Sequence, residues 1–223
     1  MIPKIGAVAA TKGGVGKTTI ALQLAIARAK QDPGHDVWLV DGDRQQTAQT
    51  ALSLRGQQDL LCGIGCAAYE DGAQLRAQVN LQKGKWDSII IDVGGKDSTT
   101  LRAALSICDL LVLPFQPRSF DVWALAQMSN ILTETWQYRE PFPVYAFLNC
   151  ADPAKSPDNL EAAAALADFP EMTYLDTPIR RRKAIATASG YGLGVSEMKT
   201  RDAKAVKEIN DLVTAVFRDI EVK

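Results

Sequence analysis

The chain has 223 residues, 47% of them hydrophobic and 23% charged, a composition that fits an ordinary globular α/β domain and excludes a disordered or low-complexity chain. Its formal net charge of -1 excludes a uniformly basic nucleic-acid binder. The first apolar run, "IGAVAA", is too short for a signal peptide or a spanning helix, so a cytoplasmic protein is expected.

In chain order, the strand-length run "KIGAVAA" passes into "TKGGVGKTT" and then into the helical stretch "GKTTIALQLAIARAKQ". A loop between a buried strand and a helix aims successive backbone N–H groups at one spot, where the helix dipole adds positive potential. Phosphate belongs in that nest. Gly13, Gly14 and Gly16 allow positive φ and close backbone approach, Lys17 neutralises the β and γ phosphates, and the Thr18 hydroxyl suits Mg²⁺. Val15 and Thr19 complete the phosphate-facing loop, so a nucleotide with Mg²⁺ is expected. Two features depart from the G-x-x-x-x-G-K-[ST] pattern: Thr11 stands in the first position, and Lys12 is a second lysine.

Next, "DVWLVDGD" ends a strand in Asp41, with Asp43 two residues on. "WDSIIIDVGG" closes on Asp92, the form of a strand whose carboxylate holds Mg²⁺ through water, and Gly94 and Gly95 follow as a turn. "DLLVLPF" and "FPVYAFLN" are further buried strands; the latter ends in Asn149, whose amide can pair with both a donor and an acceptor on an adenine edge or cap the turn. "STTLRAALSIC", "SFDVWALAQMSNILTETWQ" and "NLEAAAALADF" read as helices, with Asp121 an N-terminal acid of the second. A last helix, about 200–220, carries Val206, Ile209, Leu212, Val213, Val216 and Ile220 on one face. Alternating strands and helices imply a P-loop NTPase-like α/β fold, a doubly wound, mostly parallel sheet flanked by helices, as a single domain over 1–223. Cys62, Cys66, Cys108 and Cys150 are scattered and read as free thiols, and His35 as a solvated turn residue.

Charge is uneven along the chain. From Arg180 to Lys207 eight basic residues face Glu197 and Asp202, a balance of +6 that leaves -7 elsewhere. Such asymmetry marks a polyanion-facing edge, and its spacing suits phosphate tracking better than base reading.

The K-G-G-V-G-K-T-T stretch is similar to the deviant Walker A signature of the ParA/MinD family of ATPases. The resemblance implies that Lys12 crosses an ATP-sandwiched homodimer to reach the partner's nucleotide; one phosphate loop seats only one lysine on its own β and γ oxygens, which leaves the second for the neighbour. It makes Lys12, Lys17 and Asp43 the catalytic set. "DGDRQQ" resembles the family's D-x-D-P-Q switch I, which assigns Asp43 to the attacking water and Asp41 to the magnesium shell, although Arg44 stands where the family has proline. Asp92 matches the magnesium-holding strand, Gly94 a switch II hinge on the γ phosphate, and Asn149 the strand-end asparagine near adenine. Residues 177–195 resemble the segment running from the adenine pocket to a DNA-facing edge, which singles out Arg181 and Arg182, then Lys199 and Lys204. The implied function is a partition or positioning ATPase, cytoplasmic and nucleoid-associated, that holds DNA nonspecifically as the ATP dimer and is released when a small ParB-like or other cargo adaptor stimulates hydrolysis. Two alternatives share the fold. A MinD-like membrane-cycling regulator needs a terminal amphipathic helix, for which "RDIEVK" is too short and polar, so no membrane partner is expected; an iron-sulfur reductase or scaffold needs a cluster-ligating cysteine pair.

Overall fold

The computed structural model describes residues 4–58, 60, 63–95 and 97–217, with 119–122 described by their backbone. Cys62 and Ile220 lie outside the described residues, and so does the side chain of Asp121. The strands are β1 (Lys4–Val8), β2 (Val37–Asp41), β3 (Ile64–Ala68), β4 (Ser88–Asp92), β5 (Leu110–Phe115), β6 (Val144–Ala151), β7 (Thr173–Tyr174) and β8 (Ile179–Arg180). The helices are α1 (Lys17–Gln31), α2 (Thr47–Arg55), α3 (Gly72–Gln82), α4 (Thr99–Ile107), α5 (Ser119–Thr135), α6 (Pro157–Ala164), α7 (Lys183–Gly190) and α8 (Ala203–Phe217).

The sheet runs β3-β2-β4-β1-β5-β6-β7, with β8 pairing on β6, and every pairing is parallel. β2, β4 and β5 are buried along their whole length because helices cover both faces, which is why they read as continuous apolar runs rather than alternating ones. On one face α1 lies against α2, α7 and α8; on the other α4 packs between α3 and α5. Ser98 caps α4, its hydroxyl accepting from the Leu101 amide at 3.1 Å, and Asp71 caps α3 by accepting from the Gln74 amide at 2.8 Å. The expected stripe of α8 is buried at Ile209, Leu212, Val213 and Val216, and one charged residue, Glu208, is buried beside it.

Register decides where the site falls. Val8 and Asp41 both lie opposite Asp92 across the central strands, so β1, β2 and β4 end at the same level. The loops that follow them therefore meet above that edge.

Candidate nucleotide-binding site

The loop between β1 and α1 is held from three sides. Thr11 Oγ1 donates to the Ala124 carbonyl of α5 at 3.0 Å, Gln116 Nε2 to the Gly14 carbonyl at 3.1 Å, and Asn149 Nδ2 to the Val15 carbonyl at 2.6 Å. The threonine in the first motif position is thus a tether between loop and α5. Gly14 (φ 75°) and Gly16 (φ 89°) occupy the left-handed region; Gly13, expected to share that conformation, does not.

A cavity of about 300 Å³ is lined by Gly13, Gly14, Gly16, Lys17, Thr18, Thr19, Asp43 and Gly95. Lys17 is buried and its Nζ donates to the Lys12 carbonyl at 3.3 Å. Burial pulls the Lys17 ammonium below the usual lysine range, and the Asp92 and Asp43 carboxylates oppose that shift. Lys12 is half-buried outside this cavity, on the seam between the loop and α5 beside Thr11, Ala124 and Leu125. Of the two lysines of the motif, only Lys17 lines the phosphate cavity.

Asp92 is fully buried, and neither of its carboxylate oxygens has a hydrogen-bond partner. Burial pushes its carboxyl up to about 7; the neighbouring Thr18 hydroxyl and Lys17 ammonium oppose the shift, and Asp41 adds to it. A buried carboxylate with both oxygens unspent next to a threonine hydroxyl is a donor set that fits Mg²⁺ held partly through water.

Asp41, expected in the magnesium shell, also has a structural task. Its Oδ1 accepts from the Asp43 amide and its Oδ2 from the Gln49 amide, both at 3.0 Å, so it shapes the switch loop and the start of α2. Burial still raises its carboxyl above the ordinary aspartate range, against the pull of those amides. Asp43 stands at the cavity wall with Oδ1 accepting from the Gln45 amide at 3.0 Å.

The glycine pair after β4 divides its work otherwise than expected. A Cβ on Gly94 would meet Asp43 Oδ2 at 3.2 Å, whereas one on Gly95 would lie 3.2 Å from the Gly13 amide nitrogen and 3.3 Å from Lys17 Nζ. Gly95, not Gly94, approaches the phosphate loop; the doubled glycine in "DVGG" was the available signal. Asn149, expected at the adenine edge, is buried and donates from its amide to the Val15 carbonyl. A Cβ on Gly16 would collide with that same amide. Thr11, Gln116 and Asn149 as loop tethers were invisible in the sequence because each partner is more than 100 residues away.

The basic edge is corrected at two positions. Arg182 donates to Glu208 at 2.8 and 2.6 Å and lies near Asp202, while Arg180 donates to Glu208 at 2.9 Å. Both arginines staple the chain around β8 to α8 and are largely spent on that pairing. Arg181, Lys183, Lys199, Arg201 and Lys204 are exposed, and Arg181 and Lys204 share a concavity with Asp152. His35, expected as a solvated turn residue, has its Nε2 2.8 Å from Ser88 Oγ.

Comparison with known proteins places these features in context. The profile of the family described as "CobQ/CobB/MinD/ParA nucleotide binding domain" matches residues 7–213. A curated relative, the maintenance of carboxysome distribution protein A of Halothiobacillus neapolitanus, is 24% identical over 212 residues, covering 95% of each chain. The ATP complex of a Cyanothece McdA variant superimposes with a TM-score of 0.76 at 16% identity, covering 100% of this chain and 98% of the other. A plasmid partition protein from Borrelia burgdorferi gives 0.72 at 18% identity, covering 98% and 100%. At these identities the structural likeness speaks for the fold.

Proposed function

The chain belongs to the CobQ/CobB/MinD/ParA nucleotide-binding family and is a P-loop ATPase of ParA/MinD type, and from that premise we propose that it positions a cargo by cycling between an ATP-bound homodimer on DNA and a released form. The observation that carries this reading is the separation of the two lysines. Lys17 lines the phosphate cavity, and Lys12 sits outside it on the α5 side, where a second copy could receive it.

Within one copy, the loop amides and Lys17 bind the phosphates, and Thr18 and Asp92 are the residues to hold Mg²⁺, which when bound neutralises phosphate charge. Asp43 orients the attacking water from the cavity wall, and Gly95 leaves room for a γ phosphate beside Gly13. From the partner copy, Lys12 stabilises charge that develops on the transferred phosphoryl group, as an arginine finger does. Adaptor-stimulated hydrolysis then separates the copies.

Arg181, Lys199 and Lys204, with Lys183 and Arg201 beside them, are the nonspecific DNA contacts in this reading. One copy presents few cations, and dimerisation doubles them on one body, so nucleotide state sets DNA affinity through avidity. The likeness to a protein named for carboxysome distribution supports a large protein assembly as cargo, and the likeness to a plasmid partition protein supports DNA; both use the same cycle in this reading.

Nucleotide binding combined with sizing tests the core of the proposal. Lys17→Ala loses tight ATP binding, whereas Lys12→Ala still binds ATP but neither dimerises nor hydrolyses it. A Lys12→Ala protein that dimerises with ATP and turns over at the parent rate overturns the trans-lysine mechanism.

A further inference from the structure

The opposite end of the sheet, where the strands begin, carries a second and larger concavity that the nucleotide cycle does not use. It measures about 1040 Å³ and is walled by α3 with the turn after it, the end of α4, and the end of α5 with the turn that follows. Ile5 and Asp109, at the starts of β1 and β5, form its floor, far from the phosphate loop at the other end of the same strands.

Its charges are unbalanced in one direction. Of the two acids of the lining, Glu134 pairs with Arg102 at 2.9 Å, which is also bound to Asp97 at 2.6 Å, and Asp109 Oδ2 accepts from the Ile5 amide at 2.8 Å, which holds that carboxylate without neutralising it; against these two stand four cations. Three other cations line the cavity, and among the described residues no carboxylate pairs with any of them. Arg139 donates to the Leu105 carbonyl at 2.8 Å and lies 4.5 Å from the Phe142 ring centroid, contacts that fix the guanidinium without neutralising it. Lys83 donates to the neutral Asn80 side chain at 3.4 Å, and Arg76 is exposed on α3. Tyr138 adds an aromatic ring that is 88% exposed.

We propose that this cavity docks an acidic, extended segment of a partner protein. Arg76 and Lys83 are spaced along the α3 wall and Arg139 stands on the wall that follows α5, so they match charges strung along a chain rather than one compact anion. Asn80, Ser106 and Gln137 supply amide and hydroxyl groups suited to a peptide backbone, and Tyr138 supplies a rigid anchor. Duplex DNA fits less well, because a concave wall cannot track a convex line of phosphates. The cavity shares no lining residue with the phosphate cavity, so a segment docked there does not touch the nucleotide.

Fluorescence anisotropy with a labelled decaglutamate peptide, at low salt, tests the proposal on the full chain; decalysine and a labelled duplex are the comparison probes. Decaglutamate is expected to bind saturably and decalysine not to, with peptide affinity falling about tenfold or more in the exposed double variant Arg76→Glu/Lys83→Glu. That variant should keep parent ATP binding, and Lys17→Ala should keep parent peptide binding, which separates this site from the ATPase reading. The proposal is overturned by absent saturable binding, by peptide affinity unchanged in the double variant, or by a comparable loss of duplex affinity in that variant, which would make the cavity a nucleic-acid site.

Discussion

Arg55 and Glu197 form a buried two-point pair, Nη1 to Oε2 at 2.6 Å and Nη2 to Oε1 at 2.8 Å, with each side chain 6% exposed. Arg55 ends α2, the helix whose first turn is held by Asp41, and Glu197 lies two residues before Lys199. Gln23 of α1 reinforces the same segment, donating to the Leu193 carbonyl and accepting from the Val195 amide, both at 2.9 Å. The helices that leave the phosphate loop and the switch loop therefore both grip the segment that leads to the basic edge.

Removing one partner of this pair should be costly. Arg55→Ala leaves Glu197 buried without its principal cation, an expected loss of about 3–5 kcal/mol, whereas replacing both by apolar residues of similar size should cost far less. Urea unfolding of the two variants measures the difference. Burial alone would push the Glu197 carboxyl up, but the Arg55 guanidinium and the Gly194 amide hold it below the usual glutamate range. A carboxyl lowered in the fold contributes stability that is complete above its unfolded value of about 4.3 and fades as pH falls through the folded value. The stability gap between parent and Glu197→Gln should accordingly shrink on acidification below about pH 4.

Neighbouring arginines should fail in opposite ways. Arg182→Ala strips Glu208 of two of its hydrogen bonds and should lower stability by about 2–4 kcal/mol. Arg181→Ala, at an exposed position, should leave the melting temperature within a degree or so and weaken DNA binding of the ATP form on any sequence. Thermal melts beside a salt titration on two unrelated duplexes separate the effects; a DNA loss in Arg181→Ala confined to one duplex contradicts the nonspecific edge.

The contact of Asn149 with the phosphate loop predicts a shared phenotype. Gly16→Ala places a methyl group into the Asn149 amide at a φ that L-residues rarely adopt, and should abolish ATP binding. Asn149→Ala leaves the Val15 carbonyl without that partner and should weaken ATP binding about tenfold while adenine and guanine nucleotides suffer equally. A selective loss of adenine nucleotides would restore Asn149 to base recognition.

Asp92 trades stability for a binding site. Its carboxyl is raised by burial to about 7, so in nucleotide-free, magnesium-free protein the ionised form destabilises the fold as pH climbs from about 4 toward and past 7. Asp92→Asn should therefore melt higher than the parent at pH 8, keep only about a third of that advantage at pH 5 and lose it below about pH 4, yet lose the magnesium-dependent part of the stabilisation by ATP. Melting curves at both pH values, with and without Mg²⁺ and ATP, check both halves.

Much of this arrangement was legible from one dimension. β1, β2, β4, β5 and β6 announce themselves as apolar runs, because strands covered on both faces have no polar side to hide. β3 was not legible: "IGCAA" is a half-buried edge strand whose Gly65 makes room for the Trp86 ring, a partner named only by packing. α2 and α3 escaped for a related reason: their buried stripes, Ala48, Ala51, Leu52 and Arg55 in one and Gly72, Leu75 and Val79 in the other, are short and mix small or charged residues with the large apolar ones.

The sequence by itself determined the phosphate loop, the carboxylates at the strand ends and the order of strand and helix, because these depend on local backbone chemistry and on short-range hydrophobic pattern. Tertiary structure alone decided which of those groups are free to act. Counting charge from Arg180 to Lys207 stops one residue short of Glu208, the acid that consumes Arg180 and Arg182. Asn149 gives its donor to Val15, 134 residues earlier, and Gly95 rather than Gly94 reaches Lys17. Hydrogen bonds and ion pairs act over a few ångströms of space whatever the distance along the chain, so a residue's availability is settled only when the sheet brings its partners together.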